Sequence, residues 1–225
     1  VKGSYHTGIY DEGAAEIVAF EPWTQRLFVV NSNDSTIDVL DVIDPANPIK
    51  AASIDATMLG ASANSVAVSN GLVAVAIEAE DSQANGLVAF YDAFTLDLLT
   101  TIEAGALPDM VTFSPNGRYA LVANEGEPND EYTVDPEGSV TIIDLKKGLD
   151  KAKVVNVGFA AYNDQKAELL AKGVNIYGPG ATVAQDLEPE YITVDHKSKI
   201  AFVALQENNA IAKINIKKGE VIDIM

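Results

Sequence analysis

Carboxylates are the one chemically active side chain this sequence holds in quantity. It has 33 Asp and Glu against 15 Lys and Arg, two His and no Cys, for a formal net charge of −18. Glu16, Asn64, Asp109 and Glu190 each stand at the start of a short apolar run, and they align when those runs are superposed. Brought together at one place, such groups repel one another unless they are hydrated, protonated or neutralised by a cation. Oxygen-only donors suit Ca²⁺, which accepts about six to eight of them in loose geometry, better than Zn²⁺. The ordinary alternative is that the four side chains cap backbone donors where strands begin.

A second candidate is the acidic stretch 125–137, with Glu125, Glu127, Asn129, Asp130, Glu131, Asp135 and Glu137. Its spacing is not the Asp-Xaa-Asp-Xaa-Asp-Gly of an EF-hand, and a solvated acidic loop explains it equally well. Glu188 and Glu190 flank Pro189, whose fixed φ can aim both carboxylates at the same opening. Glu207 and Asn208 occupy the equivalent loop of the next unit.

Other chemistries find little footing. Without cysteine there are no disulfides, thiolate nucleophiles or Cys-type zinc sites. His6 lies near the start and His196 in a turn signal, where each reads as a solvated surface residue rather than the base of a triad, and two distant histidines supply no familiar zinc spacing. No Gly-Xaa-Ser-Xaa-Gly elbow occurs, and Gly178-Pro179-Gly180-Ala181-Thr182 lacks the Gly-Lys-Ser/Thr ending of a phosphate loop. The acidic balance argues against nucleic-acid partners and anionic membranes. No apolar run approaches the ~18 residues of a membrane span.

The elements that must position these carboxylates follow one repeated grammar. A short apolar run, a turn, a second apolar run, a loop, a β-branched run, a turn and a fourth strand recur in units near 16–56, 64–105, 107–159 and 188–225. Unit three is the clearest: 110–113, the turn Ser114-Pro115-Asn116-Gly117, 119–123, the acidic loop, then 140–145. The same alignment puts Asp41, Asp92, Asp144 and Asn215 at the end of each third strand. The aligned residues Glu16, Asn64 and Asp109 lie 48 and 45 residues apart, within the roughly 40–50-residue period of propeller blades.

The pattern predicts an all-β chain: a β-propeller of four-stranded antiparallel blades, about four of them, forming the N-terminal portion of a larger ring. A β-sandwich is the competing architecture, but it gives no reason for register-matched polar positions. The insertion 160–187 breaks the repeat. Its segment 163–172 reads as a short amphipathic helix stopped by Gly173, with Ala167, Leu170 and Ala171 as the apolar face against a blade edge.

The strings YHTGIYDEGAAEIVAF, VANEGEPND, DPEGSVTIIDL, GPGATVAQDLEPEYITVD and VALQENNAIA closely resemble the bacterial choice-of-anchor I family of secreted β-propellers, itself similar to mesenchyme-specific cell-surface glycoproteins. The resemblance implies export and attachment at the cell surface. No basic stretch followed by an apolar core opens the sequence at Val1, so the export signal and anchor are expected outside these residues. Some family members carry alkaline-phosphatase or phytase-like names.

Two functional classes stay open. One is an extracellular module that binds a ligand of unknown identity, with Ca²⁺ stabilising loops around Glu16, Asn64, Asp109, Glu188 and Glu190 or around Glu125, Glu127 and Asp130. The other is a Ca²⁺-dependent phosphoesterase in which metal ions offset phosphate charge. The second is short of cations, because Arg26 and Arg118 are the only arginines and both fall in turns. Exposed sheet edges also predict association with further blades or with another copy.

Overall fold

A computed structural model describes all 225 residues. Blade 1 is β1 (Val18–Glu21), β2 (Arg26–Asn31), β3 (Thr36–Asp41) and β4 (Ile49–Asp55). Blade 2 is β5 (Ser62–Ser69), β6 (Leu72–Glu78), β7 (Asn85–Asp92) and β8 (Leu98–Ala106). Blade 3 is β9 (Pro108–Phe113), β10 (Tyr119–Asn124), β11 (Ser139–Asp144) and β12 (Lys153–Gly158), and blade 4 is β13 (Tyr191–Val194), β14 (Ile200–Leu205), β15 (Ala210–Asn215) and β16 (Glu220–Ile224). Each blade is a meander whose strands pair antiparallel with their neighbours in sequence. The propeller expectation holds in strand order and sheet count.

Strand alternation explains how the blades stack. In β6, Val73, Val75 and Ile77 face blade 1 and pack with Phe28, Val30, Ile37 and Val39, whereas Ala74 and Ala76 face blade 3 and meet Val111, Ala120 and Val122. Successive side chains point to opposite faces, so one apolar strand serves two interfaces. A third core joins blade 3, through Leu121 and Ile142, to blade 4, through Val203 and Ile214. The innermost strands β1, β5 and β9, with Tyr191 of β13, line a hollow of about 250 Å³.

Blades 1 and 4 each keep a face turned away from these cores. On blade 1 the residues 1–15 run over Leu27, Val29 and Leu40, leaving a cavity of about 520 Å³. The almost wholly buried Asp38 lies there, paired with Lys50 at 2.6 Å and accepting from the Ser53 hydroxyl at 3.1 Å. Tyr191 and Ile211 on the corresponding face of blade 4 are exposed.

The matched polar residues at the ends of the third strands have a local cause. The Asp41 carboxylate accepts from the Ile43 N–H at 2.9 Å, and Asp92 accepts from Phe94 and Thr95 at 2.8 and 2.9 Å. Asp144 takes the Lys146 N–H at 3.0 Å and Asn215 takes that of Lys218 at 3.1 Å. Every blade therefore closes its third-to-fourth strand turn with the same side-chain cap.

The insertion departs from expectation in its packing. A 3₁₀ segment (Ala160–Gln165) leads into α1 (Lys166–Ala171), and a second short helix α2 (Val183–Asp186) follows. The expected apolar face of Ala167, Leu170 and Ala171 is exposed; Leu169 is the buried residue. With fewer than two turns of α-helix entered through a 3₁₀ turn, the inward phase settles on one side chain. Phe159, Val174, Ile176, Val183 and Leu187 join Leu169 in the blade 3/4 core, so the insertion extends that interface. The Gly-rich run before α2 ends in a capping box, with Thr182 and Gln185 exchanging side-chain and backbone hydrogen bonds.

The turn caps carry measurable stability. Asp92→Ala should destabilise the fold by about 1 kcal/mol at pH 7, and Asp92→Asn by less, because the amide oxygen still accepts. The hydrogen bonds from Thr95 and Phe94 hold the Asp92 carboxyl below its usual range. Its contribution is therefore present above the ordinary carboxylate pKa and is lost as pH falls through the lowered value. Denaturant unfolding of the three proteins at pH 7 and pH 3 checks both statements: the differences seen at pH 7 should shrink at pH 3.

Candidate functional site

At the end of the blades where the innermost strands begin, four segments meet: the start of β9, the loop 125–138, the approach to β13, and the turn between β14 and β15. The loop is held by Asn129, whose side-chain oxygen accepts from the N–H groups of Thr133 and Val134 at 2.8 and 3.0 Å. Gly126 adopts φ +74°, and a Cβ on Gly138 would overlap the Leu187 carbonyl, so the close contact between loop and insertion needs glycine. Gln185 donates to the Asp135 carbonyl at 2.8 Å.

Asn208, fully buried, ties the other side. Its amide donates to the carbonyls of Asn175 and Asp186, and its oxygen accepts from the Glu188 N–H at 3.1 Å. The Asp186 carboxylate accepts from the N–H groups of Tyr177 and Gly178. These bonds enclose a cleft of about 350 Å³ whose wall includes Glu127, Asp130, Asp135, Asp186, Glu188 and Glu207, with no Lys or Arg. One oxygen of Asp135, Oδ1, is buried without a hydrogen-bond partner.

The electrostatic result is a group of carboxyls that resist ionisation. Burial, then the charges of Glu127, Asp109, Glu190 and Glu188, push Glu125 up to about 8. Burial, followed by Glu127, Asp186, Glu207 and Glu190, raises Glu188 to about 7. Asp109 is raised by burial and Glu127, and Glu190 by burial, Asp109 and Glu207. Asp135 is raised by burial and by Asp186. The Tyr177 hydroxyl, 3.2 Å from Glu207 Oε2, is raised to about 12, first by burial and then by its acidic neighbours. Desolvation and like-charge repulsion act in the same direction here.

The structure thus brings Asp109, Glu125, Glu127, Glu188 and Glu190 into one field, with Asp130 on the cleft wall beside Glu127. Asn64, at a bulge of β5, donates to the Pro108 carbonyl at 3.3 Å, next to Asp109. Glu16 lies apart: it is exposed and lines the cavity under the N-terminal segment. No three Asp, Glu or His side chains converge as a ready metal shell. Sequence reasoning missed Asp186 because it belongs to the insertion, outside the repeat register. The alternation of acidic residues at 186, 188 and 190 was the available signal.

This is a propeller with an acidic cleft at one end of its blades, and its relatives agree on the class. A sequence profile of the choice-of-anchor I domain matches residues 16–225. The chain belongs to that family, which places it among secreted or cell-surface proteins. No curated protein matches it in sequence.

Among solved structures, the chain is similar to the Cps50 (Swd1) β-propeller domain of Myceliophteria thermophila, at 12% identity and TM-score 0.61, over 95% of this chain and 56% of that one. It is also similar to a functionally unknown protein from Desulfotomaculum acetoxidans, at 14% identity and TM-score 0.57, over 89% and 52%. A chain of a nidogen/laminin complex matches at 13% identity and TM-score 0.57, over 96% and 65%. At these identities the likeness establishes the fold alone. The chain spans between about half and two thirds of these structures' lengths. No helix is long and apolar enough to cross a membrane.

A carboxyl whose folded pKa exceeds its unfolded value binds more protons in the native state, so stability falls as pH rises from about 4.5 towards the raised value. With divalent ions chelated, the protein should melt at a higher temperature near pH 5.5 than near pH 8. Glu125→Gln should raise stability at pH 8 by on the order of 1–3 kcal/mol and change it little at pH 5.5. Calorimetry at the two pH values measures both.

Proposed function

We propose that this domain is a non-enzymatic interaction module of the cell surface whose acidic cleft takes a cationic ligand, with Ca²⁺ as the simplest occupant. One observation carries the reading: Asp109, Glu125, Glu188 and Glu190 all have their pKa values raised by burial and by the field of neighbouring carboxylates, Glu127 among them, while no basic side chain lines the cleft wall. A cation relieves that repulsion and lets the carboxyls ionise. Several oxygens at adjustable distance, rather than a closed shell, suit the variable coordination of Ca²⁺. Glu127, Asp130 and Glu188 on the cleft wall are assigned to it, with Asp109, Glu125 and Glu190 adding to the field from beside the cleft. Glu16 and Asn64 are left out, the first by position and the second by its hydrogen bond to Pro108.

A phosphoesterase reading asks more of the site. With no Lys or Arg on the cleft wall, metal ions alone would have to hold a phosphate against this field. The same propeller reading assigns the outward face of blade 4 to a further sheet, because blades are ordinarily covered on both faces.

Melting in high monovalent salt separates coordination from screening. Millimolar Ca²⁺ should raise the melting temperature above that in EDTA; at a hundredfold excess over the dissociation constant the gain is about 2.7 kcal/mol. Glu188→Gln and Glu190→Gln should reduce the shift, and Glu16→Gln should leave it intact. At pH 7, binding should release protons, seen as a dependence of the calorimetric heat on the buffer's ionisation enthalpy. An unchanged melting temperature in the parent would remove the cation reading.

A further inference from the structure

At the end of the blades opposite the acidic cleft, one corner of blade 3 is rich in basic side chains. On blade 3 the cleft residues lie where β9 and β11 start and β10 ends. Arg118, Lys146, Lys147, Lys151 and Lys153 lie where β10 and β12 start and β11 ends. These five and Asp144 are the whole lining of a surface depression of about 210 Å³. Asp144 is committed: it binds Arg118 through two hydrogen bonds, 3.0 Å to Nε and 2.6 Å to Nη2, and caps the Lys146 N–H. The four lysines are exposed and enter no ion pair with the chain's own carboxylates.

The patch is held in shape by its backbone. Gly148 (φ +87°) turns the chain into a 3₁₀ segment (Leu149–Lys151) closed by the Ala152 N–H on the Leu149 carbonyl. The Asn116 N–H donates to the Ser198 hydroxyl at 3.1 Å, joining this corner to the blade 4 turn that carries Lys197 and Lys199.

We propose that this surface binds a linear phosphate polymer. Four exposed lysines that enter no ion pair surround one depression, with Asp150 and the Arg118-bound Asp144 as the carboxylates nearby, and this local excess of positive charge suits a run of closely spaced anions. The one guanidinium is occupied by Asp144, so the free donors are lysines, point charges that suit phosphate without a bidentate fork. No aromatic side chain lines the depression, so it has no platform for stacked bases as single-stranded nucleic acid requires. A net charge of −18 does not prevent such contact, because screening confines each patch to its own neighbourhood within about 10 Å at ordinary ionic strength. Bound this way, the propeller sits with the basic corner of blade 3 on the polymer and its acidic cleft facing away from it.

The test is retention on immobilised long-chain polyphosphate, with immobilised heparin and single-stranded DNA as parallel arms, across a salt series. The parent should bind polyphosphate at low salt and be released as salt rises. The triple variant Lys146→Glu, Lys147→Glu, Lys151→Glu should lose binding by about tenfold or more. The same triple change at Lys2, Lys166 and Lys172 should alter it by less than about threefold. Thermal melts report whether each variant is folded. Failure of the folded parent to bind polyphosphate, equal losses in the two triple variants, or tighter binding of heparin or DNA than of polyphosphate would each overturn the proposal.

Discussion

The face-to-face packing of neighbouring sheets is the constraint on which the rest of this structure depends. Each blade is a thin four-stranded meander that cannot bury its own apolar faces, and a lone sheet of this size is marginal in water. Stacking gives every interior blade two covered faces. Blade 2 shows how one chain satisfies both: Val73, Val75 and Ile77 fill one interface, and Ala74, Ala76 and Phe90 fill the other. Valine and isoleucine on one side and mostly alanine on the other let three sheets stack without a gap. Blades 1 and 4 show the converse, with a covering segment of residues 1–15 on one and exposed Tyr191 and Ile211 on the other.

Stacking also dictates where chemistry can occur. Strand interiors are committed to packing, so polar side chains accumulate at strand ends, and all blades contribute their ends to the same two surfaces. At one surface this concentrates carboxylates from segments far apart in sequence, and the low-dielectric flanks strengthen their repulsion. Glu125 and Glu188 accordingly take up protons near neutral pH. At the other surface the turns carry lysines and the capping residues Asp41, Asp92, Asp144 and Asn215. A net charge summed over the chain hides this separation; the acidic total correctly describes the long-range field and misdescribes the basic corner of blade 3.

The insertion between blades 3 and 4 links the two themes. Its apolar residues, Phe159, Leu169, Val174 and Ile176 among them, extend the core between these blades. Its polar residues, Asn175, Asp186 and Gln185, bind the cleft loops to one another. Fold stability and cleft shape are thus coupled through one segment that stands outside the repeat.

The sequence by itself determined the repeating unit, because strand alternation and turn signals are local: 16 strands in four meanders, the matched polar positions Asp41, Asp92, Asp144 and Asn215 at the ends of the third strands, and the acidic character of loop 125–137 can all be read from residues near one another in the chain. It also named Asp109, Glu188 and Glu190 at one candidate site and Glu125 and Glu127 at another, without joining the two. Tertiary structure alone decided which candidates share a field. Glu16 matches the repeat register yet lies under the N-terminal segment. Asp186 lies outside the register yet its carboxylate lines the cleft. The inward face of α1 likewise depends on the core that receives Leu169, since a helix of six residues is too short for periodicity to fix its phase. Charge repulsion and burial depend on distance in space, and a one-dimensional repeat specifies the ends of strands without specifying how far apart the ends of different blades will stand.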